Sequence, residues 1–212
     1  MLKPVQQVLA IAFVLSSAIA SAQLNPAPAI AITTEDIKAV LDAAAAMKRT
    51  IPDNQIRVVD MGTYNLAVGI IQRGPTGGGN AAATPAAPAP PAARCGDQRA
   101  DVTGPGGLYH DSTTEVYIVT SGAGTLITGG TIVNGRRSAA DNEVTTVLNG
   151  PSCSGTMVGY VSRDVKPGDV IIIPAGTPHG FSRITDHCTY LSVRPDPKKV
   201  LPAGYVNPAL KK

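Results

Sequence analysis

From Asp101 to Val193 the chain is a succession of short runs of strand-forming residues, nearly all closed by Gly, Asn or Pro. The runs cover residues 115–120, 124–128, 131–133, 144–148, 156–161, 169–173, 180–184 and 189–193. They are too short and too closely spaced for helices, and even spacing of short strands with turn signals predicts an all-β sandwich or barrel. The 22 Gly and 18 Pro favour turns in the same way. At 212 residues the chain is long enough for one domain with a sizeable core. Its net charge of +3 comes from scattered Lys and Arg with no basic stripe. That distribution argues against a nucleic-acid partner.

The N-terminus reads MLKPVQQVLAIAFVLSSAIASAQ. Lys3 supplies a positive end, residues 8–19 an apolar stretch, and Ala20-Ser21-Ala22 the small residues a signal peptidase reads, which predicts a signal peptide over residues 1–22. The apolar run is short for a bilayer span. Export to the periplasm or beyond is therefore expected, with cleavage and no stable membrane insertion afterwards. Export also places Cys95, Cys153 and Cys188 in an oxidising compartment, where three cysteines allow one disulfide and leave one buried thiol. The spacing does not say which pair forms.

Residues 23–32 form a Pro- and Ala-rich linker, and a helix is expected after it, the two occupying 23–54. Thr33 or Thr34 can cap that helix, Glu35 and Asp36 suit its first turn, and Ile37, Val40, Leu41 and Ala44 make one apolar stripe. Such a helix packs on the outside of a barrel. The barrel itself is expected over 55–195. Residues 55–73 read as two strands or one bent strand, with Val58, Leu66, Val68 and Ile70 inward. Residues 74–94 lack charge before Arg94 and lack apolar periodicity, so they read as a flexible loop inside the barrel. The tail, 196–212, is expected to wrap loosely outside.

Two segments carry the chemistry. The first, GPGGLYHDSTTEVYIVTSG, spans 104–122, and the second, GDVIIIPAGTPHGFSR, spans 168–183. Pro174 and Gly176 shape a turn after one strand, and Pro178 stiffens the approach to His179. Glu115 sits among Val116, Tyr117, Ile118 and Val119, where burying a carboxylate is costly unless it is paired or metal-bound. Two imidazoles, His110 and His179, with Glu115 make a ligand set for Fe²⁺, Mn²⁺, Ni²⁺ or Zn²⁺. Tyr109, Tyr117 and Arg183 are the candidate substrate-contacting residues, and Asp111 reads as a turn residue.

These segments resemble the two motifs of the cupins. His110, four residues, Glu115, six residues and Gly122 follow the first; Gly168, five residues, Pro174-x-Gly176, two residues and His179 follow the second. The resemblance covers roughly residues 55–195. It implies a double-stranded β-helix of jelly-roll type, a divalent metal in the barrel, and a homodimer formed through strand edges. Open edges need such covering in any case. The chain departs from the pattern in two places. Leu108 stands where cupins usually carry the first of two histidines, and Arg183 stands where many carry Asn. His187 is a further imidazole that could stand in for the missing ligand. Three classes of function follow: a metal-dependent enzyme such as a small-molecule dioxygenase or isomerase, a non-catalytic binder of a small ligand, or a structural barrel without metal.

Overall fold

A computed structural model describes residues 28–76 and 93–211. The chain divides into two units, Met1–Ala31 and Ile32–Lys212, and the account below concerns the second. The expected signal peptide and most of the 74–94 segment lie outside the described residues.

The helix α1, Thr34–Ala46, begins where the capping pattern places it. Thr33 Oγ1 accepts from the Asp36 amide and Asp36 returns the contact to the Thr33 amide, a reciprocal cap that satisfies two otherwise orphaned donors. Its apolar stripe of Ile37, Val40 and Leu41 covers Ile56 and Ile70 from outside. Twelve strands follow among the described residues: β1 Asp53–Asp60, β2 Asn65–Arg73, β3 Arg94–Cys95, β4 Gly106–His110, β5 Glu115–Gly122, β6 Gly124–Thr128, β7 Thr131–Arg137, β8 Ser152–Val158, β9 Val161–Val165, β10 Val170–Ile173, β11 His179–Arg183 and β12 Cys188–Asp196.

They form two antiparallel sheets, ordered β1-β2-β12-β5-β10 and β3-β7-β8-β4-β11-β6-β9. The main core joins them: Ile71, Tyr117, Ile173 and Tyr190 of the first sheet pack with Leu126 and Val165 of the second. This is the all-β class expected from strand spacing, with its one short helix, and the two-sheet arrangement is of the jelly-roll type that the resemblance implies. Cys95 and Cys153 form the disulfide, tying β3 to β8, and Cys188 is a buried free thiol.

Four expectations are corrected. Val144–Leu148 is a π-helical turn rather than a strand. Asn142 gathers the Thr145 and Thr146 amides on its carbonyl and the Val144 amide on its side chain, a local alternative that outcompetes the β propensity of Val and Thr. The run at 156–161 is two strands, broken at Gly159, whose φ of +70° suits glycine. On β2 the inward residues are Asn65, Ala67, Gly69 and Ile71, while Leu66, Val68 and Ile70 alternate onto the outer side, where Ile70 lies under α1. Val58 does face inward, opposite Ala67. The tail is not loose. Leu201 is buried against Val58 and Ala67, its amide donates to Asp196 Oδ2, and the backbone of Gly204 and Tyr205 pairs with Val58.

Candidate metal centre

The two histidines and the glutamate sit at strand ends that the fold brings together. His110 closes β4, Glu115 opens β5 and His179 opens β11. Between β10 and β11, residues 174–177 form a tight turn in which the Thr177 amide donates to the Pro174 carbonyl and Gly176 adopts φ +78°. A positive φ at that position is why glycine is needed there. The Gly176 amide also donates to the His110 carbonyl at 2.7 Å. The turn that delivers His179 is thus fastened to the backbone of the other histidine.

His110, Glu115 and His179 are 4%, 1% and 4% exposed, and each offers a ligand atom within 4.8 Å of the others. Glu115 Oε2 lies 3.3 Å from His110 Nε2 and 3.0 Å from His179 Nε2. The opposite ring nitrogens determine the tautomers. His179 Nδ1 lies 2.9 Å from the Thr177 carbonyl, which can only accept, so Nδ1 carries the proton. His110 Nδ1 lies 2.7 Å from Ser152 Oγ, whose own hydroxyl donates to the Gly150 carbonyl, so here too Nδ1 is the donor. In the neutral rings both Nε2 lone pairs then point at the Glu115 carboxylate. Three acceptors converging on one point require a cation among them or an extra proton. The donor set fits a divalent ion.

The surroundings keep Glu115 charged. Its Oε1 accepts from Ser192 Oγ at 2.9 Å and Arg194 Nε at 3.1 Å, and its Oε2 accepts from the Tyr117 hydroxyl at 2.9 Å. Burial on its own would raise the Glu115 pKa. Arg194 and positive charge at His110, with the hydrogen bonds that His110 and His179 give when Nε2 carries the extra proton, outweigh it and hold the carboxyl well below its usual range. With both rings neutral, a cation on the two Nε2 atoms would take the place of that proton. Burial lowers the pKa of His110 against the pull of Glu115, which favours the neutral ring that a ligand must be. Tyr117 stays a neutral phenol, pushed up by burial and then by the Glu115 charge.

Arg194 is fully buried and spans two carboxylates, with Nε on Glu115, Nη1 on Gln55 at 2.9 Å and Nη2 on Asp53 at 2.5 Å. One guanidinium between two carboxylates leaves a negative charge beside two imidazoles, which favours a cation at the centre. Gly69 makes the room: a Cβ there would sit 2.8 Å from Arg194 Nη1. Sequence reasoning passed over Arg194, Ser192 and Ser152. The available signal was the alternation Tyr190, Ser192, Arg194, Asp196 on one strand, polar groups at inward positions.

The structure brings His110, Glu115, His179 and Tyr117 together and places the other candidates elsewhere. Tyr109 alternates with the inward Leu108 and His110, so it packs behind the sheet near Cys153 and Met157 with Arg137 over its ring. Arg183 is exposed at a surface groove with Asp164 and His187. His187 contacts Asp186 and Ser121 and does not replace the missing ligand. Asp111 lies in the bend after β4 and pairs with Arg137. Leu108 faces inward in register with His179. Beside them opens a cavity of about 530 Å³ between the sheets.

No family model matches the chain, and no curated protein sequence matches it. Among solved structures it is similar to a protein from Bacillus halodurans, at 17% identity over 85% of this chain and 89% of that one, with a TM-score of 0.38. It is also similar to KdgF from Halomonas sp., at 12% identity over 68% and 79% with a TM-score of 0.33. A third is a cupin protein from Bacteroides fragilis, at 13% identity over 62% and 65% with a TM-score of 0.27. Likenesses this distant do not show what the chain does.

Proposed function

We propose that this cupin-type barrel holds a divalent metal on His110, Glu115 and His179 and uses it on a small molecule, as a dioxygenase or isomerase would, in a protein exported from the cell. One observation carries the reading: both Nδ1 protons are committed to oxygen acceptors, so two Nε2 lone pairs and a carboxylate oxygen meet at one buried point. Export is supported by the leader pattern at residues 1–22 and by the Cys95–Cys153 disulfide.

A bound ion would supply Lewis-acid or redox chemistry there. The rest belongs to the chain's own residues. Thr177 and Ser152 keep the imidazole protons on Nδ1 and so present Nε2 to the centre. Arg194 and Ser192 fix the orientation of Glu115 through Oε1. Tyr117, held neutral, anchors Oε2 and puts a ring between the centre and Tyr190, 4.3 Å away between centroids. Burial of all three ligands keeps bulk water from competing for them.

A second reading has a specific support. Glu115 already accepts from Tyr117, Ser192 and Arg194, and an extra proton on one Nε2 would close the cluster with no ion at all. The test is elemental analysis of the mature protein, purified without chelator or histidine tag, beside His179→Ala and Glu115→Gln. Near-stoichiometric metal that both substitutions remove is the expected result. Folded protein that holds none and takes none up on titration leaves the ion-free cluster, and metal retained in both variants makes the ligand assignment wrong.

A further inference from the structure

The interior holds a second arginine whose charge is treated differently from that of Arg194. Arg73, at the inward end of β2, lines the cavity beside the centre together with Leu108, His179, Phe181 and Ile184. Its Nε donates to the Tyr190 hydroxyl at 2.8 Å, and its guanidinium carbon lies 5.7 Å from the centroid of the Phe181 ring. These contacts hold the guanidinium plane still and occupy one nitrogen. Nη1 and Nη2 have no hydrogen-bond partner among the described residues, and no carboxylate there lies within ion-pair distance of Arg73. Residues 1–27 and 77–92 contain no Asp or Glu, so those stretches hold no acidic side chain to pair with it.

We propose that Arg73 is the recognition point for a ligand carboxylate, and that the cavity takes a small carboxylate whose apolar body lies against Leu108, Phe181 and Ile184, next to the centre at His179. The inference deepens the metal reading above and rests on it for the site's purpose, though not for the binding itself. A half-buried cation with no carboxylate in contact, feeling Asp53 only from beyond ion-pair distance, loses hydration that an anion in the cavity can return. The two free nitrogens on one edge of a fixed fork match the two oxygens of a carboxylate. Phosphate sites recruit several cations or backbone amides, whereas this cavity offers one arginine, with the hydroxyls of Thr50, Thr76 and Ser154 among apolar side chains and glycines. Its volume is within the usual range for small-ligand pockets.

The experiment is calorimetric titration of the mature protein with hexanoate, phenylacetate and benzoate, with the three matching amides, and with inorganic phosphate. At least one of the acids should bind the unaltered protein about tenfold to a hundredfold more tightly than its amide. Arg73→Gln, which can still donate to Tyr190, should abolish that preference while its thermal melting still shows a folded protein. The acid-over-amide comparison needs no variant, so it stands even if Arg73→Gln fails to fold. Equal binding of acids and amides, tighter binding of phosphate, an unchanged preference in Arg73→Gln, or no binding at millimolar concentrations would each overturn the proposal. Metal content of the same samples keeps the two ideas apart. Arg73-dependent carboxylate binding in metal-free protein sinks only the metal reading, and bound metal without carboxylate preference sinks only this one.

Discussion

Replacing Arg194 by Met tests whether the centre is built around its buried guanidinium. Met keeps most of the aliphatic volume and removes the charge with its three hydrogen bonds, to Glu115, Gln55 and Asp53. Breaking a buried ion pair from one side typically costs about 3–5 kcal/mol, because the partner charge is left uncompensated. Here two partners are stranded, which pushes the figure up. Glu115 keeps Tyr117 and Ser192, and Asp53 keeps the Asn149 amide at 3.0 Å, which pulls it down. The expected loss is about 3 kcal/mol, a fall in melting temperature of roughly 6–12 °C for a domain of this size. Equilibrium urea unfolding measures it.

The same variant separates charge from packing. If the loss is electrostatic, adding Asp53→Asn to the Arg194→Met protein removes one stranded charge and should recover part of the stability. In the unaltered protein Asp53→Asn should only destabilise. A loss under about 1 kcal/mol for Arg194→Met, or a double variant weaker than the single one, would refute the reasoning.

Two further outcomes follow. Cys95 and Cys153 are 58 residues apart, so replacing both by Ala should cost about 4 kcal/mol in equilibrium unfolding; a loss below about 1 kcal/mol would mean the link constrains little. Burial raises the pKa of Tyr117, with the Glu115 charge adding to it, and burial raises that of Tyr190 against the pull of Arg73. The folded protein therefore keeps protons that the unfolded chain releases, so this stability is whole below about pH 10 and is lost as pH rises beyond it. In an alkaline titration these two of the six tyrosines should ionise only as circular dichroism reports unfolding, and free ionisation in folded protein would overturn that.

The strand rhythm carried the architecture because a half-buried strand marks itself twice, by alternation and by the turn residues that end it. Glu115 was legible because a carboxylate in an apolar run has few explanations, and His179 because Pro174 and Gly176 frame it. Val144–Leu148 misled because β-branched residues describe a side chain's fit to a pleated surface, not the presence of a neighbouring strand to pair with. Leu66, Val68 and Ile70 misled for a related reason: with α1 lying outside, both faces of β2 are covered, and hydrophobicity no longer distinguishes them. Arg194, Ser192 and Ser152 lie 79, 77 and 42 residues from the groups they orient, and no local pattern encodes such pairings.

Those long-range partners bear on the departure at Leu108. It faces the interior in register with His179, so a histidine there would share the cavity wall with the centre, and leucine gives up that donor. Each of the three proposed ligands is already held by a partner within the protein: His179 by the Thr177 carbonyl, His110 by the Ser152–Gly150 relay, and Glu115 by Arg194, Ser192 and Tyr117. Side chains already held in one rotamer lose little further freedom on coordination, which offsets part of the affinity forfeited with a fourth donor. Leucine also gives the cavity an apolar wall where imidazole would have given a polar one. On the proposed reading the exchange trades some hold on the ion for an open coordination sphere beside a surface suited to the apolar part of an acid held at Arg73.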